Sequence, residues 1–174
     1  MVDVSILQDD SNYPLVSESL KRQVDIVEDS GVKPEILNFF HGRRIALRRI
    51  PNDDGPGRFV PGRGIELNPE AFPPEEPILL HELLHAYHAL VLPNGFENED
   101  VLGFYRNAVN GRLYPPRKRG DKYVLSNVKE FFAVTASLYL WGRIDRQPYT
   151  RENLQNSQPH YYNWLAEQFG VQNK

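Results

Sequence analysis

The run that most constrains this chain is PILLHELLHAYHALVLPNG, residues 77–95, in which three histidines and one glutamate interrupt an otherwise apolar segment. Proline crowds its start and Pro93-Asn94-Gly95 follows its end, so the pattern predicts one helix. A helix that is apolar on nearly every side is buried, and buried titratable side chains are costly unless something pairs with them. We therefore expect His81, Glu82 and His85 to have partners.

A shared metal ion would supply such a partner. His81 and His85 lie one helical turn apart on the same face, at about 6 Å of rise, so both imidazoles can bind one zinc ion. Glu82 lies about 100° round the helix, where its carboxylate can accept a proton from the water of that ion. HELLH thus meets the H-E-x-x-H pattern. The alternative is a polar helix surface that faces water.

The fourth polar residue of the run, His88, has a different expected role. It falls about 20° from His81 round the helix, but it lies one turn beyond His85. A metal ion between His81 and His85 would be out of its reach. We expect His88 to pack or to support the site rather than to bind the ion.

A zinc site that performs chemistry needs three protein ligands and an open position. The chain has no cysteine, and the extended metzincin pattern is absent because His88 and Val91 stand where it requires glycine and histidine. A glutamate on a later helix remains, and Glu130 lies in the apolar segment YVLSNVKEFFAVTASLYLW, residues 123–141. The alternative is a capping box between Asn127 and Glu130, which would explain this acid without a metal.

HELLH, followed about forty residues later by Tyr-x6-Glu-Phe-Phe-Ala, resembles the catalytic domain of anthrax lethal factor and its relatives among the zincin metallopeptidases. The resemblance is close over residues 81–140, although Leu84 stands where that motif carries glycine. It implies a zinc-dependent endopeptidase that acts on peptides or proteins, but not the toxin's own substrates. The roles it implies are zinc ligands at His81, His85 and Glu130, a general base at Glu82 and an oxyanion-stabilising hydroxyl at Tyr123.

Two of these assignments have open alternatives. Tyr123 precedes an apolar helix, where an aromatic side chain often only packs. Asn127 matches the resemblance in spacing without a clear role. The whole site can also belong to a zinc-binding protein that is not proteolytic, such as a sensor, a hydrolase of another amide or a pseudoenzyme.

In zincins the substrate commonly runs along the edge strand before the motif helix. Here that strand is predicted in GRGIELN, residues 62–68. An edge strand offers free backbone groups to an extended peptide, and glycine allows a close approach. The predicted substrate-binding residues are Gly62, Gly64, Ile65 and Glu66, and the alternative is an ordinary strand with a glycine turn.

The remaining pattern predicts a helix-rich α+β fold, zincin-like, with a small sheet beside the motif helix. We expect one domain over residues 1–174, in which residues 1–16 form a loosely ordered lead. The other helices are predicted near 17–31, 33–40, 97–110, 127–141, 150–156 and 159–169, and the short strands within 43–50, 51–64 and 64–68.

The composition of the chain limits the classes of partner that we expect. The net charge is −3 over 174 residues, so the composition does not indicate binding to nucleic acid or to an anionic membrane. A short basic cluster such as Arg117-Lys118-Arg119 could steer an acidic substrate. The sequence contains no run of 18 apolar residues, so it predicts no membrane span. The start of the chain lacks the pattern of a signal peptide, which fits a cytoplasmic protein or a mature fragment. We expect a monomer with Zn2+ as its cofactor.

Overall fold

The computed structural model describes residues 2–3, 12–51, 55–114, 124–144 and 149–170. These residues form an α+β structure rich in helix, which confirms the predicted fold class. Within these ranges no helix is both long and apolar enough to cross a membrane. In chain order the elements are β1 (Val2–Asp3), α1 (Tyr13–Glu28), α2 (Pro34–His41), β2 (Ile45–Leu47), β3 (Gly57–Val60), β4 (Gly64–Leu67), α3 (Ile78–Leu90), α4 (Glu99–Gly111), α5 (Val128–Trp141), α6 (Arg151–Ser157) and α7 (Pro159–Phe169).

The strands form one sheet in the order β1-β2-β4-β3. β1, β2 and β4 are parallel, and β3 pairs antiparallel with β4, with Phe59 opposite Ile65. β4 is therefore an interior strand, whereas β3 has a neighbour on one side among the described residues. The predicted edge strand at 62–68 is wrong, because GRFV at 57–60 pairs outside it.

The four residues predicted to bind substrate on β4 have other surroundings. Gly62, with φ of 77°, lies in the β3–β4 turn. A Cβ on Gly64 would lie 2.3 Å from the Arg44 carbonyl oxygen, so this glycine allows contact with the neighbouring backbone. Ile65 is fully buried. Glu66 is 2% exposed, and three arginines hold its carboxylate, namely Arg48, Arg58 and Arg63.

The predicted N-terminal lead has ordered elements at both of its ends. Val2–Asp3 pairs with β2, and α1 begins at Tyr13 with a proline in its first turn. Proline is favourable there because its missing N–H would have no helical partner. Residues 1 and 4–11 of the lead lie outside the described part.

The motif helix α3 packs between the sheet and α5. Leu80 and Leu84 of α3 and Phe131 and Phe132 of α5 are all fully buried, as expected for two helices with nearly continuous apolar surfaces. The helix emerges at its C-terminal end, where Leu90 is 54% exposed. Burial of the rest of α3 fixes the positions of its histidines.

The start of α3 is held from α1 rather than by a cap of its own. Pro77 precedes the helix and gives no side-chain cap. Instead, the buried Gln23 side chain donates to the Glu76 carbonyl at 2.8 Å and accepts from the Leu79 N–H at 3.0 Å. Gln23 thus satisfies the Leu79 N–H, which the helix start leaves unpaired. It also adds a second bond to the Glu76 carbonyl, which accepts from the Ile78 N–H at 2.9 Å.

Replacement of Gln23 by leucine should destabilise the fold. Gln23→Leu leaves the buried Leu79 N–H without a partner, and we expect a loss of about 1–3 kcal/mol in the free energy of unfolding. Urea denaturation followed by circular dichroism measures this loss. The matched control is Gln155→Leu on exposed α6, where a change within about 0.5 kcal/mol is expected; equal effects of the two variants would contradict the anchoring role.

Candidate metal centre

Three ligand atoms meet between α3 and α5. The Nε2 atoms of His81 and His85 lie 3.1 Å apart, and each lies 3.4 Å from one carboxylate oxygen of Glu130. A tetrahedral zinc ion with bonds of about 2.0–2.1 Å separates its ligand atoms by roughly 3.3 Å. These residues form the one His/Cys/Asp/Glu cluster of this kind among the described residues. Their spacing and chemistry fit zinc.

The elements that carry the ligands explain how they converge. His81 and His85 project from one face of α3, as the four-residue spacing predicts. Glu130 lies in the first turn of α5, where the Asn127 side chain accepts from the N–H groups of Lys129 and Glu130, each at 3.0 Å. Asn127 therefore caps the helix alone. The Glu130 carboxylate faces the imidazoles instead of completing a capping box.

The charges of the cluster stabilise one another. Burial alone would raise the pKa of Glu130, but hydrogen bonds to His81 and His85 and their positive charge hold this carboxyl pKa below its usual range. Burial opposes protonation of His81, yet the Glu130 contact and the charges of Glu82 and Glu130 raise its pKa. An anionic carboxylate beside two imidazoles is a donor set that a divalent cation can bind.

Glu82 lies beside the three ligand atoms but is not one of them. It is 5% exposed, and the Phe59 backbone N–H donates to its carboxylate. Burial raises the pKa of Glu82, while the charges of His81 and His85 act in the opposite direction. A carboxylate with a raised pKa is a stronger proton acceptor than an ordinary glutamate.

Gly57 on β3 lets the edge strand lie directly against Glu82. Its φ is outside the left-handed region, so the backbone conformation does not require glycine. A Cβ at this position would lie 2.8 Å from Leu67 Cδ2 and 3.0 Å from Glu82 Cγ. Glycine is needed here for close approach, and it brings the strand within reach of the carboxylate.

The cluster opens into a cavity of about 450 Å³, within the usual size of ligand sites. Polar side chains of the lining, besides the three ligands and Glu82, are Arg58, Glu76 and Lys129. Apolar side chains form most of the remaining wall, among them Phe59, Ile78, Phe96, Val124 and Ile144, and the aromatic Tyr149 also lines it. Gly62, Gly64, Ile65 and Glu66 are absent from this lining, so the structure does not bring them to the site.

The edge of β3 runs along this cavity. The Pro56 carbonyl accepts from the Asn68 N–H at 2.9 Å and therefore points toward β4. Because backbone groups alternate in direction along a strand, Gly57 and Phe59 direct theirs away from β4. Both residues line the cavity, so their outward groups lie along its wall.

His88 packs without taking part in the cluster, as predicted. It is fully buried, and neither ring nitrogen has a hydrogen-bond partner among the described residues. Its ring lies between Phe96 and Phe132, with centroids 5.1 Å and 4.6 Å away. Burial, with the nearby charges of His85 and Lys129, lowers the pKa of His88 to about 4, which leaves this imidazole neutral at physiological pH.

The site has one predicted residue that the structure does not describe and three residues that the sequence did not predict. Tyr123 lies outside the described residues, and its role stays a prediction. Sequence reasoning did not find Gly57, Phe96 or Lys129. Only Gly57 had a usable signal, since a glycine within a strand pattern often marks a close approach.

The fold and this site define a helix-rich α+β protein with a candidate His–His–Glu metal centre beside an antiparallel edge strand. The fold is shared with a solved structure, the Pro-Pro endopeptidase PPEP-2 from Paenibacillus alvei, at a TM-score of 0.57 over 96% of this chain and 94% of that chain. The identity in that comparison is 21%, so it establishes the fold.

A curated sequence is also similar to this chain. It is a Pro-Pro endopeptidase of Paenibacillus alvei, 31% identical over 90 residues. The match covers 52% of this chain and 37% of that relative. No protein-family model matches the chain.

Loss of the Glu130 carboxylate should release the metal. In Glu130→Gln the site loses its anionic ligand, and we expect zinc affinity to fall at least tenfold. Competition with a fluorescent zinc chelator measures this change. The matched control is Asn127→Ala, which should cost about 1 kcal/mol of stability and keep the zinc affinity. Unchanged affinity in Glu130→Gln would restore the capping interpretation of this residue.

Proposed function

We propose that this chain is a zinc-dependent endopeptidase that hydrolyses bonds within peptide or protein substrates. The observation that carries the proposal is the spacing of His81, His85 and Glu130, with the buried Glu82 carboxylate beside them in one cavity. Similarity to the Pro-Pro endopeptidase of Paenibacillus alvei supports it. The name of that relative makes a bond between two prolines the first candidate for cleavage.

Each residue of the cluster has a proposed role. His81, His85 and Glu130 would hold the zinc ion. When bound, zinc supplies Lewis-acid polarisation of the scissile carbonyl and lowers the pKa of water. Glu82 accepts the proton of the attacking water and passes it to the departing nitrogen, which its raised pKa and its position beside the ligands favour.

The substrate would lie along β3 rather than along β4. The outward N–H and carbonyl of Gly57 and the outward carbonyl of Phe59 can pair with an extended peptide, since β3 has no strand on its outer side among the described residues. The same edge borders Glu82 through the Phe59 N–H. A peptide that pairs with β3 would therefore pass close to the proposed base and the metal ligands.

Tyr123 keeps its proposed role as the hydroxyl that stabilises the oxyanion. It precedes Glu130 by seven positions, which is the spacing on which the resemblance to lethal factor depends. The next residue, Val124, lines the cavity. The position of Val124 in that lining supports the proposal for the residue before it.

Removal of the Glu82 carboxylate should abolish hydrolysis while zinc stays bound. We expect Glu82→Gln to cut at least a hundredfold more slowly than wild type, because a general base typically contributes that much or more. Mass spectrometry of a peptide mixture that includes proline–proline sequences measures cleavage, and elemental analysis measures zinc. The control is Glu70→Gln at an exposed position. A zinc-loaded wild type that cleaves nothing would instead favour the non-proteolytic alternative.

A side chain at position 57 should disturb the base. In Gly57→Ala the added Cβ would lie 3.0 Å from Glu82 Cγ, so we expect kcat to fall on the order of tenfold through misplacement of the carboxylate. Steady-state kinetics at constant zinc occupancy measures this effect, with circular dichroism to verify folding. Gly103→Ala is the matched control, since its Cβ would meet nothing within 4 Å. An unchanged kcat in folded Gly57→Ala would refute the positioning role.

A further inference from the structure

Lys129 is placed at the rim of the cavity by the first turn of α5. The Asn127 cap fixes this turn through the N–H groups of Lys129 and Glu130. Consecutive residues diverge by about 100° round a helix, so Glu130 faces the imidazoles while Lys129 lines the same cavity beside it. A positive charge therefore lies next to the proposed metal centre without being one of its donors.

Phe96 holds this charge in place. The Lys129 Nζ lies 4.4 Å from the centroid of the Phe96 ring, a distance typical of a cation–π contact. Phe96 in turn packs edge-on against the buried His88 ring. Because the ammonium already rests on a fixed aromatic face, less side-chain freedom is lost when it binds a ligand.

Lys129 has no carboxylate partner among the described residues, and its Nζ contact is the Phe96 ring. Of the acids in the described lining, Glu130 contacts the two imidazoles, Glu82 accepts from the Phe59 N–H, and Glu76 forms no ion pair with Lys129. Arg58, the other cation of the described lining, binds the buried Glu66 through Nε at 3.0 Å and Nη2 at 2.9 Å. Within the described part of the lining, Lys129 is thus the cation left for a ligand.

We propose that Lys129, supported by Phe96, binds a carboxylate of the substrate close to the cleaved bond. The inference rests on the proposed peptidase function and specifies its substrate class, a peptide that carries an acidic group beside the scissile bond. The carboxylate can come from an aspartate or glutamate side chain or from the C-terminus of the peptide. Both sources share the chemistry that an exposed ammonium recognises.

The test compares peptides of equal length around one cleavable sequence. In the first set the C-terminus is amidated and glutamate replaces glutamine at each position near the bond in turn. In the second set every acid is glutamine and the C-terminus is free or amidated. The kcat/KM of zinc-loaded wild type should favour the acidic member of one set by about threefold to tenfold, as expected for a partly exposed ion pair. The preference should weaken with added salt.

Variants of Lys129 assign the preference. Lys129→Met keeps the length of the side chain but removes its charge, and the acidic-to-neutral ratio should fall to about 1. Lys129→Glu should reverse the preference toward lysine-containing peptides. The matched control is Lys21→Met on the exposed face of α1, outside the cavity lining, which should retain the wild-type ratio.

A binding measurement separates this inference from the peptidase proposal. Fluorescence anisotropy of the same labelled peptides is recorded with zinc-loaded Glu82→Gln and with Glu82→Gln/Lys129→Met. Binding that favours the acidic peptide only when Lys129 is present, without cleavage by wild type, would support the subsite and overturn the peptidase proposal. Cleavage with equal ratios in wild type and Lys129→Met, for both peptide sets, would overturn the subsite and leave the peptidase proposal standing.

Discussion

The contact of Glu130 with the imidazoles of His81 and His85 is the constraint on which the site depends. α3 and α5 pack through fully buried apolar side chains such as Leu84 and Phe131, and the three polar groups lie beside that packing, where they line the cavity. Polar groups in such surroundings must satisfy one another or bind an ion. The apolar packing therefore both positions the three ligand atoms and makes their separation costly. The packing of α3 against α5 therefore also forms the site.

Two small residues, Asn127 and Gly57, position the functional groups around that contact. Asn127 takes over the capping of α5, which leaves the Glu130 carboxylate available to the histidines. Gly57 removes a side chain where β3 crosses Glu82. In each case a short side chain, or none, leaves room for a functional group on a neighbouring element.

The helices and the motif could be predicted from the sequence because both depend on local periodicity. The four-residue spacing of His81 and His85 determines their shared face, and the position of Glu130 in an apolar run makes it a candidate third ligand. Strand order depends on pairing between segments distant in sequence. The local pattern therefore predicts an edge strand at residues 62–68, whereas the structure has residues 57–60 at the edge. Phe96 and Lys129 come into contact only through tertiary packing, so the local sequence around either residue could not predict this contact.

An open sheet edge has a cost for a protein that uses it. Unpaired backbone groups that can receive a peptide can also receive a strand of another copy, which is a route to aggregation. In this chain the exposed side of the sheet is a strand of four residues, Gly57–Val60, followed at once by Pro61, which cannot donate a backbone hydrogen bond. A short edge strand and a proline beside it are both features by which natural sheets reduce edge-to-edge pairing.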